Sequence, residues 1–94
     1  MTIGILTIHL YLPACHSLKE KRGCLKPIMA RLHREFNISV AETDRQDMWQ
    51  EAILACAIAT NEPAQAQRVL QKVAQYLEVN WPDTNILDHR IEIL

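Results

Sequence analysis

The run Ser17-Leu18-Lys19-Glu20-Lys21-Arg22 puts a hydroxyl, a carboxylate and three cations within six residues. Ser17 and Glu20 have capping-box spacing. The hydroxyl can accept from the backbone N–H of Glu20, while the carboxylate reaches back to the N–H of Ser17. The run therefore predicts a helix start. Partial positive charge gathers at a helix N-terminus, so cations there are mildly unfavourable. Lys19, Lys21 and Arg22 crowd the first turns all the same, where fold stability does not explain them. Free N–H groups with cations nearby suit anion binding, phosphate above all. The candidate residues are Ser17, Lys19, Lys21, Arg22 and, one turn on, Lys26. The competing reading is a solvated helix whose charges only tune solubility.

Other residue types carry weaker signals. Asp44 and Asp47 flank Arg45 and Gln46, and paired acids can do acid–base work or hold a hard metal. No nucleophile or base is linked to them, so turn formation is the stronger reading. His9, His16, His33 and His89 have no zinc spacing, and Cys15-His16 with Cys24 matches no zinc pattern. Glycine-rich phosphate loops and Ser/His/Asp motifs are missing. The expectation is a non-enzymatic protein without metal or cofactor. Trp49 is the aromatic best placed to meet a base or a partner. The stronger expectation is that it caps the edge of the core, since large aromatics are usually highly buried.

Ninety-four residues make one domain, residues 1–94, large enough for a core without staples. The net charge of −1 hides an asymmetry: Ser17 to Phe36 carries six cations against two anions, and the remainder four against nine. Three cysteines, Cys15, Cys24 and Cys56, argue against a disulfide framework and for a reducing, cytoplasmic compartment. No apolar run approaches the ~20 residues that span a bilayer, so no membrane association is expected. Met1 to Leu12 lacks the basic start and cleavage site of a signal peptide.

Several elements must position these residues. Ile3 to Leu12 reads as a first strand, with Leu6, Ile8, Leu10 and Leu12 on the core face. A helix follows to about Phe36, its stripe made by Leu18, Leu25, Ile28, Met29, Leu32 and Phe36. Pro27 should kink it against the carbonyl of Gly23, a full break being the lesser alternative. Asn37 suits a left-handed helix end. Ile38–Thr43 and Trp49–Thr60 read as strands two and three, the latter with Leu54, Cys56 and Ile58 on one face. Asn61 can cap a second helix, with Pro63 in its first turn. Ile86 to Leu94 closes as strand four, with Leu87, Ile91 and Ile93 inward. The order is βαββαβ. Right-handed crossovers then give an α+β ferredoxin-like sandwich: a four-stranded antiparallel sheet, strands one and three central, with two helices on one face.

That arrangement leaves the other sheet face open. Ile3, Ile5, Ile53, Ala55, Ala57 and Ala59 project from it, and an exposed apolar patch marks an interaction site. A homo-oligomer through this face is expected. The face lacks the aromatic, glycine-rich signature of RNA-recognition domains, so any RNA contact should use the basic helix.

Ser17-Leu-Lys-Glu-Lys-Arg22, Val40-Ala-Glu42, Gln46-Asp-Met-Trp-Gln50 and Ile91-Glu-Ile-Leu94 together resemble the YlxP-like family of small bacterial proteins, essentially end to end. The resemblance implies a ferredoxin-like fold and no established activity. Gene neighbourhoods in that family suggest work linked to RNA or the ribosome. Cys24 and Pro27 depart from its pattern. Three functions follow as expectations: binding of RNA or a ribosomal particle through the first helix, homo-oligomeric protein interaction through the sheet face, or a small enzyme acting on an anionic or phosphorylated substrate.

Overall fold

The computed structural model describes residues 1–94. Six elements follow in the order β1 (Thr2–Tyr11), α1 (Leu18–Phe36), β2 (Ser39–Asp44), β3 (Glu51–Thr60), α2 (Pro63–Asn80) and β4 (Asn85–Ile93). The strands form one sheet in the order β2-β3-β1-β4, and every neighbouring pair is antiparallel. The ferredoxin-like βαββαβ sandwich is thus the architecture, with β1 and β3 in the centre.

Period-two alternation builds the sheet. On β1, Leu6, Ile8 and Leu10 are fully buried while Ile5, Thr7 and His9 between them are half-buried on the opposite face. On β3, Ala52, Leu54 and Cys56 face inward, and Ile53, Ala55 and Ala57 outward. The alanine-rich run is a strand despite its helical propensity, because β1 pairs along its whole length, from Thr2↔Thr60 to Tyr11↔Glu51. The helices close over the inner face: α2 packs on β1, β3 and β4, and α1 on β2. Leu25, Ile28 and Leu32 of α1 and Leu70, Val73 and Leu77 of α2 complete the core. Gly4 leaves room for α2 over β1. A Cβ there would stand 3.0 Å from Leu70 Cδ1 and 3.1 Å from the Ala66 Cβ, so those side chains would have to give way slightly.

Helix α1 starts at an N-cap Ser17, whose Oγ accepts from the Glu20 N–H at 3.1 Å. The Glu20 carboxylate closes the box one residue earlier than the spacing predicts, accepting from the His16 N–H at 3.4 Å. The helix ends on Asn37 in the left-handed region, with φ 51°. It runs unbroken through Pro27, so the two-helix alternative falls away. Pro27 and Gly23 both lie on the exposed side, where water can satisfy the carbonyl that loses its donor.

Two local expectations are corrected. Asn61 does not cap α2: the N-cap is Glu62, without a side-chain cap bond. Thr60 organises the entry instead, its Oγ1 accepting from the Glu62 N–H and donating to Gln65 Oε1 at 2.8 Å. Leu87 does not face inward. The β1–β4 register slips between His9 and Leu10, pairing His9 with Asp88 and Leu10 with Ile86. Leu87 is the extra residue of the resulting bulge and is 54% exposed.

Candidate functional site

Helix geometry sorts the cations of α1. Residues at i, i+3 and i+7 share one face, so Lys19, Arg22 and Lys26 line up, and all three are exposed. None of them takes part in a salt bridge. Arg22 and Lys26 also rim a shallow groove of about 350 Å³ between α1 and β2, floored by Leu25 and Met29 and closed by Glu42. Cations beside an apolar floor can hold a phosphate and cover the face of an attached base.

Lys21 points the other way and is corrected as an anion-binding residue. It is 1% exposed. Its Nζ donates to the carbonyls of Arg45 at 2.6 Å and Met48 at 2.7 Å, and lies 2.7 Å from Glu42 Oε2. The Glu42 contact is a close ion pair with poor hydrogen-bond alignment, and Oε2 has no other donor. The ammonium is therefore consumed in tying the β2–β3 connection to α1. Its place near the helix start serves the fold, contrary to the sequence expectation. Arg45 turns its backbone into the left-handed region, at φ 59°, on this connection.

The helix terminus itself is also less open than expected. Ser17 Oγ is spent on the cap, and the Glu20 carboxylate stands over the same turn. The candidate anion surface accordingly shifts from the terminus to the flank of α1, at Lys19, Arg22 and Lys26. Arg31, another cation of the segment, stacks on Tyr76 and Trp81 at 5.7 and 5.8 Å from the ring centroids. Phe36 meets Tyr76 edge-on at 5.2 Å, which finishes the core at that end.

Trp49 does not cap the core edge. It is 54% exposed on the β2–β3 connection, beside the exposed Met48. Lys21 holds the carbonyl immediately before it. Asp44 acts as a turn former, its Oδ1 accepting from the Arg45 N–H at 2.7 Å. The four histidines are scattered: His9 pairs with Glu51 at 2.6 Å on the open sheet face, and His33 meets the Ile38 carbonyl.

On that open face Ile3, Ile5, Ala55 and Ala57 sit in neighbouring positions, Ile5 opposite Ala57 and Ile3 opposite Ala59. They are half-buried, with Ala59 exposed. Ile53 stands opposite His9, so Thr7, His9 and Glu51 interrupt the apolar area at its far end. The edge strand β4 brings Asp88, Arg90 and Glu92 alongside.

Sequence reasoning missed two arrangements. Glu42 was visible only inside a motif, with no role, because its partner lies 21 positions earlier on another element. Cys15 and Cys24 bring their Sγ atoms to 3.6 Å, a contact that no periodicity announces. Burial and the adjoining Cys24 thiol push the Cys15 thiol up to about 11. Burial alone pushes Cys56 up to about 12.

Fold and surface together define a small ferredoxin-like domain with one basic helix flank and one uncovered sheet face. Solved structures agree on the fold. The de novo designed protein Foldit4 is similar with TM-score 0.56 at 12% identity, over 100% of this chain and 97% of that one. The designed ferredoxin-fold protein LFR1 1 is similar with TM-score 0.54 at 11% identity, over 100% and 83%. The chain belongs to the family described as "Protein of unknown function (DUF503)", which it matches over residues 3–91. It is 37% identical over 62 residues to the "Uncharacterized protein YlxP" of Bacillus subtilis (strain 168), spanning 66% of this chain and 67% of that protein. No helix is long and apolar enough to cross a membrane.

Proposed function

We propose that the chain is a non-enzymatic binding protein that docks RNA, ribosomal particles included, on the flank of α1. The observation that carries this reading is the exposed, unpaired row Lys19, Arg22 and Lys26 on a domain whose net charge is −1. The row spans eight residues, about 10 Å of helix, a length suited to successive phosphates. The groove beside Arg22 and Lys26 offers the half-buried Met29 to a base. Trp49 offers a second, aromatic contact, and stacking a base on such a side chain contributes about 1–3 kcal/mol. Replacing Lys19, Arg22 and Lys26 with Gln should abolish retention on RNA and ribosomal particles at low salt. It should also flatten the salt dependence by nearly one unit of slope per lost phosphate contact. Unchanged affinity in the triple variant, or no RNA affinity in the parent at low salt, would overturn the reading.

A second reading is favoured by the uncovered apolar positions Ile3, Ile5, Ile53, Ala55 and Ala57: a homo-oligomer packed sheet to sheet. Alanines permit close approach of two such faces. Sedimentation at tens of micromolar, roughly the range of a micromolar dissociation constant, should show a dimer or larger species that Ala57→Arg reduces to monomer. Association through this face should persist in high salt, which separates it from phosphate binding.

A further inference from the structure

Cys15 lies in the β1–α1 connection and Cys24 in the second turn of α1, and their Sγ atoms touch at 3.6 Å. Cys15 is 1% exposed, whereas Cys24 is open to solvent. The third thiol, Cys56, is buried in the core on β3. We propose that Cys15 and Cys24 form a thiol-oxidation site that takes a low-molecular-weight disulfide as co-reactant and closes to an intramolecular bridge.

The order of events follows from exposure. Cys15 holds its proton at neutral pH, because burial and the neighbouring thiol push its pKa up to about 11. Cys24, facing solvent, is the point of entry. Its thiolate attacks one sulfur of the disulfide RSSR. A bond forms between Cys24 Sγ and that sulfur, the S–S bond of the reagent breaks, and RS⁻ leaves and takes up a proton. Cys15 Sγ then attacks Cys24 Sγ and displaces the second RS⁻, which takes up the proton that Cys15 gives up. Two protein thiols and one RSSR become one protein disulfide and two RSH, so atoms and electrons balance.

The second step needs little movement. The sulfurs must close from 3.6 Å to about 2.05 Å, and Cys15 sits on a connection rather than in a strand or helix. A high-pKa thiol is also a poor leaving group. A reductant attacking the exposed Cys24 sulfur must expel Cys15, so the bridge opens slowly once made. The bridge would enclose the capping pair Ser17 and Glu20 as well as Lys21, all within the ten-residue segment 15–24.

The test treats the folded protein with graded mixtures of oxidised and reduced glutathione, quenches in acid, unfolds, alkylates and weighs the product. Two of the three thiols should become protected, with a peptide map that joins residues 15 and 24. Half-conversion should occur at a thiol–disulfide ratio at least about tenfold more reducing than for the same chain in denaturant, since the fold raises the effective concentration of one thiol at the other. Cys24→Ser should leave both remaining thiols open to alkylation. Cys56→Ala should form the bridge as the parent does. Three free thiols at every ratio, a mixed disulfide that stops at Cys24, a Cys24 cross-link between two chains, or no difference between folded and denatured protein would each overturn the proposal.

Discussion

Lys19 and Lys21 stand two residues apart on α1 and have opposite fates. Lys19 is exposed with no carboxylate partner, while Lys21 is sealed from solvent by two loop carbonyls and Glu42. A helix turns about 100° per residue, so two positions put the side chains on nearly opposite flanks. One flank meets the edge strand β2 and the connection after it; the other leaves Lys19 open to solvent and sets Arg22 and Lys26 along the rim of the groove beside β2. Identical chemistry thus becomes a structural tie on one side and an available charge on the other. A basic cluster read as a unit merges these two roles.

The largest effect expected from this contrast is at Lys21. Lys21→Ala strips two carbonyls and a carboxylate of their partner, and breaking a buried pair costs about 3–5 kcal/mol. Denaturant melts should show that loss, and a change under about 1 kcal/mol would place Lys21 among the solvated cations. A neutralising variant that includes Lys21 therefore mixes binding with unfolding, whereas Lys19, Arg22 and Lys26 can be neutralised without touching the tie to β2.

The thiols extend the comparison of buried with exposed groups. Cys56 is raised from the ordinary 9.0 to about 12 by burial. The folded state holds that proton more tightly than the unfolded chain does. Its stabilising contribution is therefore intact below pH 9 and is lost as pH rises toward 12. The slope is on the order of 1.4 kcal/mol per pH unit. Urea melts between pH 8 and 11 should show a shallower decline in Cys56→Ala than in the parent. Parallel curves would mean that the thiol ionises without opening the core.

A smaller effect is expected at the start of the helix. Ser17→Ala removes the acceptor for the Glu20 N–H and should cost about 0.5–2 kcal/mol. An unmoved midpoint would show that Glu20 alone holds the first turn. The smallest stability effect belongs to the exposed row. Lys19→Gln, Arg22→Gln and Lys26→Gln should each stay within about 0.5 kcal/mol of the parent. Joint loss of stability in that triple variant would erase the distinction between the two flanks.

Much of the fold was legible because it rests on local signals. Ser17 and Glu20 lie within one turn, so their spacing reports the cap directly. The alternation of β1 and β3 assigned inner and outer faces, and Asn37 announced the helix end. The Asn61 cap missed by one residue, on contacts local to Thr60 and Glu62; two other misplacements fell where neighbours distant in sequence decide. Leu87 was turned outward by a register slip against His9 and Leu10. Trp49 was left exposed because the connection carrying it is pinned by Lys21 and not folded onto the core.

Residue order alone specifies the succession of elements, the capping of α1, the alternation that buries Leu6, Ile8, Leu10, Leu54 and Cys56, and the concentration of positive charge on one helix. Each of these depends on residue type and short-range spacing. Which of those cations stay free, the pairing of Glu42 with Lys21 and the contact of Cys15 with Cys24 arise only in the packed chain. Those outcomes depend on how α1 is rotated against β2 and how the β1–α1 connection folds back. Rotation and chain reversal are set by packing the whole core, and no segment read alone contains them.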